Sequence, residues 1–488
     1  MTVAYLDAKR KAVAGQSMPV TTDRLQALLD DQRQAIKRDG FPDARLRRER
    51  LSRLLKAVIS REREIAAAIS ADFGHRSDFE TYLAEIFTSL ETIRHSRRRL
   101  AKWMRPSPRS MNFAFRPARA EVRYQPLGVV GIISPWNYPF YLAISPLAGA
   151  LAAGNRVMIK PSELSPQTGA LLRDMIAETF TPEEVTVVSG GAEVGEKFAR
   201  LAFDHLLFTG STRVGKSVMA AAAENLTPVT LELGGKSPAI VAPGFNMERA
   251  VKSIFAGKLL NAGQTCIAPD YVLVPESSLD AFVAHARQVV AAMYPNLAAN
   301  PDYTAIINAR HLGRLQGYLE DAMEQGAQVV TINPAGESFS AASGKMPPAL
   351  VLQATPQMAV MQEEIFGPVL PVVTYRDLGE AIAFVNDRAR PLALYYFDTD
   401  HGRIRRVLDE TTSGGACINE TLMHIALDEL PFGGVGSSGM GHYHGFEGFQ
   451  TFSNARGVFH QSRLNGAGLL RPPYGRVAKF VLDFISGR

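Results

Sequence analysis

Cys266 lies in Asn261-Ala262-Gly263-Gln264-Thr265-Cys266-Ile267-Ala268-Pro269, downstream of the carboxylate in Glu232-Leu233-Gly234-Gly235-Lys236. A thiolate can add to a carbonyl carbon, and a carboxylate on a second glycine-lined loop can activate the water that later releases the acyl group. The pair points to acyl chemistry through a thioester. Gly263-Gln264-Thr265 are small and polar, which predicts a sulfur approachable from solvent, since an inert cysteine more often sits inside an apolar run. A buried, structural Cys266 is the open alternative.

A second candidate is Phe208-Thr209-Gly210-Ser211-Thr212-Arg213-Val214-Gly215-Lys216, between an apolar strand pattern and an alanine-rich helix. Small residues at Gly210 and Ser211 would let a pyrophosphate approach the helix N-terminus, where free N–H groups favour an anion. The run is not G-x-G-x-x-G, so an ordinary strand-to-helix turn is an equal reading. Pro431 to Gly439 is also glycine-rich, but no helix pattern follows it directly, which predicts close backbone turns beside an active site. His442 and His444 alternate in a neighbouring loop without an identifiable third ligand, so no metal is expected.

Elements must hold these residues. Residues 22 to 104 read as three helices, broken at Gly40-Phe41-Pro42 and at Phe73-Gly74. Ala118 to Tyr124 alternates as a strand in a projecting hairpin. Between Val129 and Glu232, β-rich runs at 129–133, 156–159, 185–188 and 205–208 alternate with helical patterns, the signature of a parallel, doubly wound sheet. A second alternation from Ser237 to Asn419 implies another α/β domain, with Gly234-Gly235 as the joint and a cleft beside it. Asn333 to Pro348 reads as a surface loop, and the amphipathic tail from Leu464 to Arg488 as packed on the body or on a neighbouring subunit.

With 488 residues, two or three domains are expected. No apolar run spans a membrane and no secretory signal pattern opens the chain, so the expectation is a cytoplasmic protein without stable membrane insertion. Two cysteines, Cys266 and Cys417, exclude a disulfide framework; Cys417 reads as strand packing. The net charge of +5 is small for this length, and the arginine-rich stretches 45–53 and 94–105 read as solvated helix faces rather than a nucleic-acid surface.

These segments, with Pro135-Trp136-Asn137-Tyr138-Pro139, Lys160-Pro161-Ser162-Glu163, Glu364-Ile365-Phe366-Gly367-Pro368 and Pro431-Phe432-Gly433-Gly434, resemble the aldehyde dehydrogenase superfamily in order from about Glu121 to Phe452. Gly263 to Leu273 and Gly436 to Gly445 look like its class 3 and fatty-aldehyde branch. Asp72-Phe73-Gly74-His75-Arg76-Ser77, Ala84-Glu85-Ile86 and Ile93-Arg94-His95 look like bacterial coniferyl aldehyde dehydrogenases.

The resemblance implies a Rossmann-like cofactor domain (1–114 and 126–234), an α/β catalytic domain (235–424) and a small β oligomerisation element (115–125 and 443–488), assembled as a homodimer. It implies NAD as cofactor, with NADP as the alternative: Lys160 and Glu163 at the adenine ribose, Gly210 and Ser211 at the pyrophosphate, Glu364 at the nicotinamide ribose and Phe366 near the nicotinamide. A carboxylate such as Glu163 would repel a 2′-phosphate, although Lys160 could bind either cofactor. Cys266 becomes the nucleophile, Glu232 the deacylating base, and the Asn137 amide with the Cys266 N–H the alkoxide donors. Without the resemblance, Asn137 is a turn residue and Glu364 one more surface acid. Trp136, Tyr138, Phe140, Tyr141, Met423, His424 and Phe432 are expected around an entrance suited to a phenylpropenal or a fatty aldehyde. A noncatalytic binding protein and a cofactor-free thiol esterase are the rival classes, separated by whether an aldehyde generates NADH absorbance.

Overall fold

The computed structural model describes residues 21–486. Residues 1–20, on which the expectation about a signal pattern rests, and residues 487–488 lie outside the described residues. Four longer helices lead the chain: α1 (Thr22–Asp39), α2 (Ala44–Ser60), α3 (Glu62–Phe73) and α4 (Thr88–Trp103). Thr21 and Asp43 cap the first two by accepting from the Arg24 and Leu46 N–H groups. Gly40 and Gly74, at φ +69° and +72°, end α1 and α3 where a side chain would be strained. The expected second helix is in fact two, α2 and α3, parted at Arg61 (φ −122°, ψ 15°). No glycine or proline marks that break, so the helical spacing ran through it.

A three-stranded antiparallel sheet follows, from β1 (Ser107–Arg109), β2 (Arg119–Pro126) and a strand returned much later. This small sheet therefore starts before residue 115. The chain next builds β3 (Val129–Ile133), α5 (Tyr141–Ala153), β4 (Arg156–Lys160), β5 (Val185–Val187), β6 (His205–Thr209), α6 (Thr212–Ala223) and β7 (Val229–Glu232). These five strands are parallel, and β3, β4 and β6 are buried throughout, which explains their unbroken apolar sequences.

The second sheet takes β8 (Pro238–Val241), β9 (Tyr271–Pro275), β10 (Gln328–Thr331), β11 (Ala349–Leu352), β12 (Val369–Tyr375), β13 (Ala393–Phe397) and β14 (Gly415–Ile418), with α7 (Met247–Leu259) and α8 (Ala309–Glu324) among its connections. Its order is β10-β11-β12-β9-β8-β13-β14, with only the β10 edge antiparallel. The short β15 (Gly439–Met440) returns to pair with β7, giving the first sheet the order β15-β7-β6-β3-β4-β5. β16 (Ser453–His460) completes the small sheet by pairing with β2 along its length. One apolar cluster runs from Val130 and Ile132 of the first sheet to Val272 and Tyr395 of the second, so the two sheets share a core.

One expectation needs correction. Arg47 and Arg50 in the 45–53 stretch are buried rather than solvated: Arg47 donates to the carbonyls of Ala152 (3.1 Å) and Ala153 (2.7 Å), and Arg50 pairs with Glu184 at 3.0 Å. The tail helix α9 (Arg476–Ile485) packs only in part on its own body: Ala478 is buried and Phe484 meets Phe113 edge-on at 6.3 Å, whereas Phe480 and Phe484 are 72% and 66% exposed. Among the described residues, no helix is long and apolar enough to cross a membrane.

Candidate active site

Strand order reverses between β3 and β6, so the loops leaving their carboxyl ends diverge and open a crevice. Lys160 is the last residue of β4, Gly210-Ser211 follow β6, Glu232 ends β7, and Ser134 to Asn137 follow β3. Parallel strands thereby gather four sequence-distant motifs at one sheet edge. The second sheet contributes the Cys266 loop before β9 and the Glu364-Ile365-Phe366 loop before β12, its hydrogen-bonded neighbour.

Cys266 is the one partly exposed residue between Asn261 and Asp270. Gln264 and Thr265 are buried, so the polar neighbours expected to open the sulfur to solvent instead form its floor. Gln264 donates to the carbonyls of Asn261 (2.9 Å) and Ala305 (3.0 Å) and accepts from the Ile307 N–H at 2.9 Å. Asn261 and Ala262 take φ of +53° and +52°, a strained turn for residues with side chains. Gly263 follows at φ +78°, and a Cβ there would lie 2.4 Å from the Gly367 carbonyl. The thiol pKa is pushed up to about 12, by burial first and then by Glu364 and Glu232.

Glu232 is buried, neither carboxylate oxygen has a hydrogen-bond partner among the described residues, and burial raises its pKa well above the carboxylate range. The Glu364 carboxyl is raised to about 8, by burial first and then by Asp270. A Cβ on Gly234 would fall 2.1 Å from a Glu364 oxygen, so this approach requires glycine. Asp270 fixes the Glu364 loop by accepting from the Ile365 N–H (3.0 Å) and pairing with Lys236, whose ammonium also reaches the carbonyls of Val360 and Glu363. Lys258 lies buried nearby without a hydrogen-bond partner among the described residues; burial lowers its pKa to about 8.

The residues at the crevice fit a dinucleotide. Ser211 caps α6 by accepting from the Val214 N–H, and Gly210 packs so closely on Phe208 that a Cβ would meet its ring at 2.6 Å. Lys160 is buried and pairs at 2.9 Å with Glu163, whose side chain is 43% exposed. The charge of Glu163 is thus partly balanced, a pairing the sequence did not reveal. Phe366, at φ +50°, meets the Trp136 ring edge-on at 5.4 Å.

Asn137 is buried beside the cysteine loop, its Nδ2 donating to the Gln264 carbonyl at 3.1 Å. Its own carbonyl accepts from Asn261 Nδ2 (3.0 Å) and Arg76 Nη1 (2.9 Å). Sequence reasoning missed Arg76, Glu85 and Glu80, which accepts from the Asn261 N–H at 3.1 Å, as parts of the site. Their only signal was that Arg76 and Glu85 fall in the segments that look like coniferyl aldehyde dehydrogenases. Phe140, expected at an entrance, is fully buried in the core, and Tyr138 is tied to Thr265 through their hydroxyls at 2.6 Å. His444 is buried too, stacked on Phe432 and bonded to the Tyr141 hydroxyl at 3.2 Å. Among the described residues no metal-binding cluster of three or more His, Cys, Asp or Glu forms.

Comparison with known proteins agrees with this chemistry. The profile of the aldehyde dehydrogenase family matches residues 7–458. A probable coniferyl aldehyde dehydrogenase of Pseudomonas aeruginosa is 53% identical over 474 residues, 97% of either chain. A coniferyl aldehyde dehydrogenase of a Pseudomonas species is 49% identical, covering 96% of this chain and 97% of that one. The solved substrate-bound state of Staphylococcus aureus AldH superposes with a TM-score of 0.89 at 40% identity, over 96% of this chain and 100% of that one. The family profile over residues 7–458, together with relatives matched over nearly their whole length, establishes that this chain belongs to the aldehyde dehydrogenase family and oxidises aldehydes with NAD(P).

Proposed function

We propose that the substrate is an aromatic enal of the coniferyl aldehyde type, that NAD is the preferred cofactor, and that Cys266, Glu232 and Asn137 carry the chemistry. The observation that carries the residue assignment is a partly exposed thiol within the field of a buried carboxylate whose oxygens hold no hydrogen bonds among the described residues. The substrate class rests on the coniferyl aldehyde dehydrogenases at 53% and 49% identity.

The Cys266 thiolate adds to the aldehyde carbon and the carbonyl electrons move to oxygen. The Asn137 amide and the Cys266 N–H donate to that alkoxide. Nicotinamide, when bound, supplies the hydride acceptor, and the carbon left on sulfur is a thioester. Glu232 takes a proton from the water that attacks it; water oxygen bonds to the acyl carbon, the C–S bond breaks, and the acid leaves. Burial makes Glu232 a stronger base than an exposed carboxylate, which suits this role. Lys160 and Glu163 would hold the adenine ribose, Gly210 and Ser211 the pyrophosphate, Glu364 the nicotinamide ribose, and Phe366 would lie against the nicotinamide. The Glu163 charge disfavours a 2′-phosphate, and its pairing with Lys160 leaves NADP as the weaker alternative. Among the described residues the cofactor domain comprises 21–106 and 126–234, the catalytic domain 235–424, and the oligomerisation element, its start moved back to β1, 107–125 and 443–486 of a cytoplasmic homodimer. Two free cysteines are compatible with a reducing compartment.

Glu232→Gln tests the mechanism, because an amide cannot take the proton. A stoichiometric NADH burst is expected, with collapsed steady turnover and an acyl mass increase on the Cys266 peptide. Normal steady turnover would remove Glu232 from the base role. In the wild type, kcat/KM across coniferaldehyde, benzaldehyde, hexanal and a long-chain aldehyde, with NAD and NADP, should peak for coniferaldehyde with NAD; a long-chain optimum would assign it to fatty aldehydes.

A further inference from the structure

We propose that Arg76, braced by Glu85, is a positioning residue that fixes Asn137 for alkoxide stabilisation; the inference rests on the assignment of Asn137 as the donor. The Arg76 and Glu85 side chains are both 0% exposed and meet at 2.9 Å. Arg76 Nη1 also donates to the Asn137 carbonyl at 2.9 Å. The other Glu85 oxygen accepts from the Phe140 N–H (3.0 Å) and the Tyr141 N–H (2.7 Å), at the entry to α5. The guanidinium carbon lies 5.1 Å from the centre of the Phe73 ring and 4.8 Å from that of Tyr138. One buried ion pair therefore grips the chain on either side of Pro139, at the Asn137 carbonyl and at the Phe140 and Tyr141 amides.

A buried pair is a poor source of stability, since desolvation offsets most of its attraction and apolar residues of equal volume commonly serve as well. What apolar residues could not supply is orientation. Asn261 Nδ2 reaches the same Asn137 carbonyl, while the Asn137 side chain reaches the Gln264 carbonyl beside Cys266. Arg76 thus completes the clamp on the peptide whose side-chain amide must face a developing charge. The planar fork suits one cation to a carboxylate, a carbonyl and two ring faces, which a lysine ammonium serves less well.

The test is a mutant cycle among Asn137→Ala, the paired change Arg76→Met with Glu85→Gln, and all three together; the paired change removes both members of the ion pair. The readouts are the NADH burst with aldehyde and the cofactor-free p-nitrophenolate burst from p-nitrophenyl acetate, whose attack by Cys266 builds the same alkoxide and then expels the phenolate. Asn137→Ala should slow both bursts roughly 100-fold, and the paired change about tenfold or more, with the NAD dissociation constant unchanged. If Arg76 acts through Asn137, the triple variant is no slower than Asn137→Ala alone. Multiplied losses, or a wild-type burst in the paired variant, overturn the proposal while leaving Asn137 as donor. A wild-type burst in Asn137→Ala instead overturns the donor assignment and the proposal with it. Arg76→Lys, alone and with Asn137→Ala, provides the same cycle where loss of the ion pair prevents folding.

Discussion

Cys266 carries its proton more firmly than an exposed thiol because burial and two carboxylates, Glu364 and Glu232, all oppose its thiolate. The Glu364 carboxyl, raised to about 8, is charged above that pH and repels the thiolate most there. Removing this negative charge must lower the thiol pKa. In Glu364→Gln, alkylation of Cys266 by iodoacetamide at pH 9 should therefore be faster on the order of tenfold, with the rate profile displaced to lower pH. An unmoved profile would mean that Glu364 exerts no field at the sulfur. The same sign governs turnover: the Glu232 base functions only above its raised pKa, so steady-state kcat should climb with pH at values well above those where an ordinary carboxylate titrates.

At the scale of elements, α5 links the site to the core. It is apolar on every face and buried along its whole length, so water can satisfy neither end. Glu85 accepts the N–H groups at its start, while Arg47 takes the Ala152 and Ala153 carbonyls at its finish. Gly154 turns the chain away at φ +94°, and a Cβ there would meet the Arg47 guanidinium at 2.6 Å. Arg47→Met would leave those carbonyls buried and unpaired, an expected loss of about 2–4 kcal/mol in urea unfolding. A change below about 0.5 kcal/mol would show that the helix end is satisfied otherwise.

At the scale of the whole molecule, the exposed face of α9 carries Val477, Phe480 and Phe484, and Phe484 meets the exposed Phe113 edge-on at 6.3 Å. An apolar surface of this kind is normally covered in an assembly. If the proposed homodimer covers it, Phe480→Asp with Phe484→Asp should reduce the mass by light scattering from two chains to one, and an unchanged dimer would place the interface elsewhere. Much of the remaining architecture was legible in the sequence. The runs at 129–133, 156–159 and 205–208 are strands, because a parallel sheet buried on both faces demands unbroken apolar residues. Cys266, Glu232 and Gly210 could be picked out as candidates from residue type on glycine-lined loops, whereas Lys160 was marked only by the resemblance to the family. The sequence was silent wherever a residue's meaning lay in a distant partner. The break at Arg61, the burial of Phe140 and the reach of Arg47 across 105 residues have no local signal. Nor does Arg76, whose contact with Asn137 spans 61 residues. Local sequence determined which groups could react and which strands would carry them, because both depend on neighbouring residues. Tertiary structure alone decided which carboxylates are desolvated, which arginines are buried and what holds Asn137 in place, because burial and long-range hydrogen bonds exist only once the chain has packed.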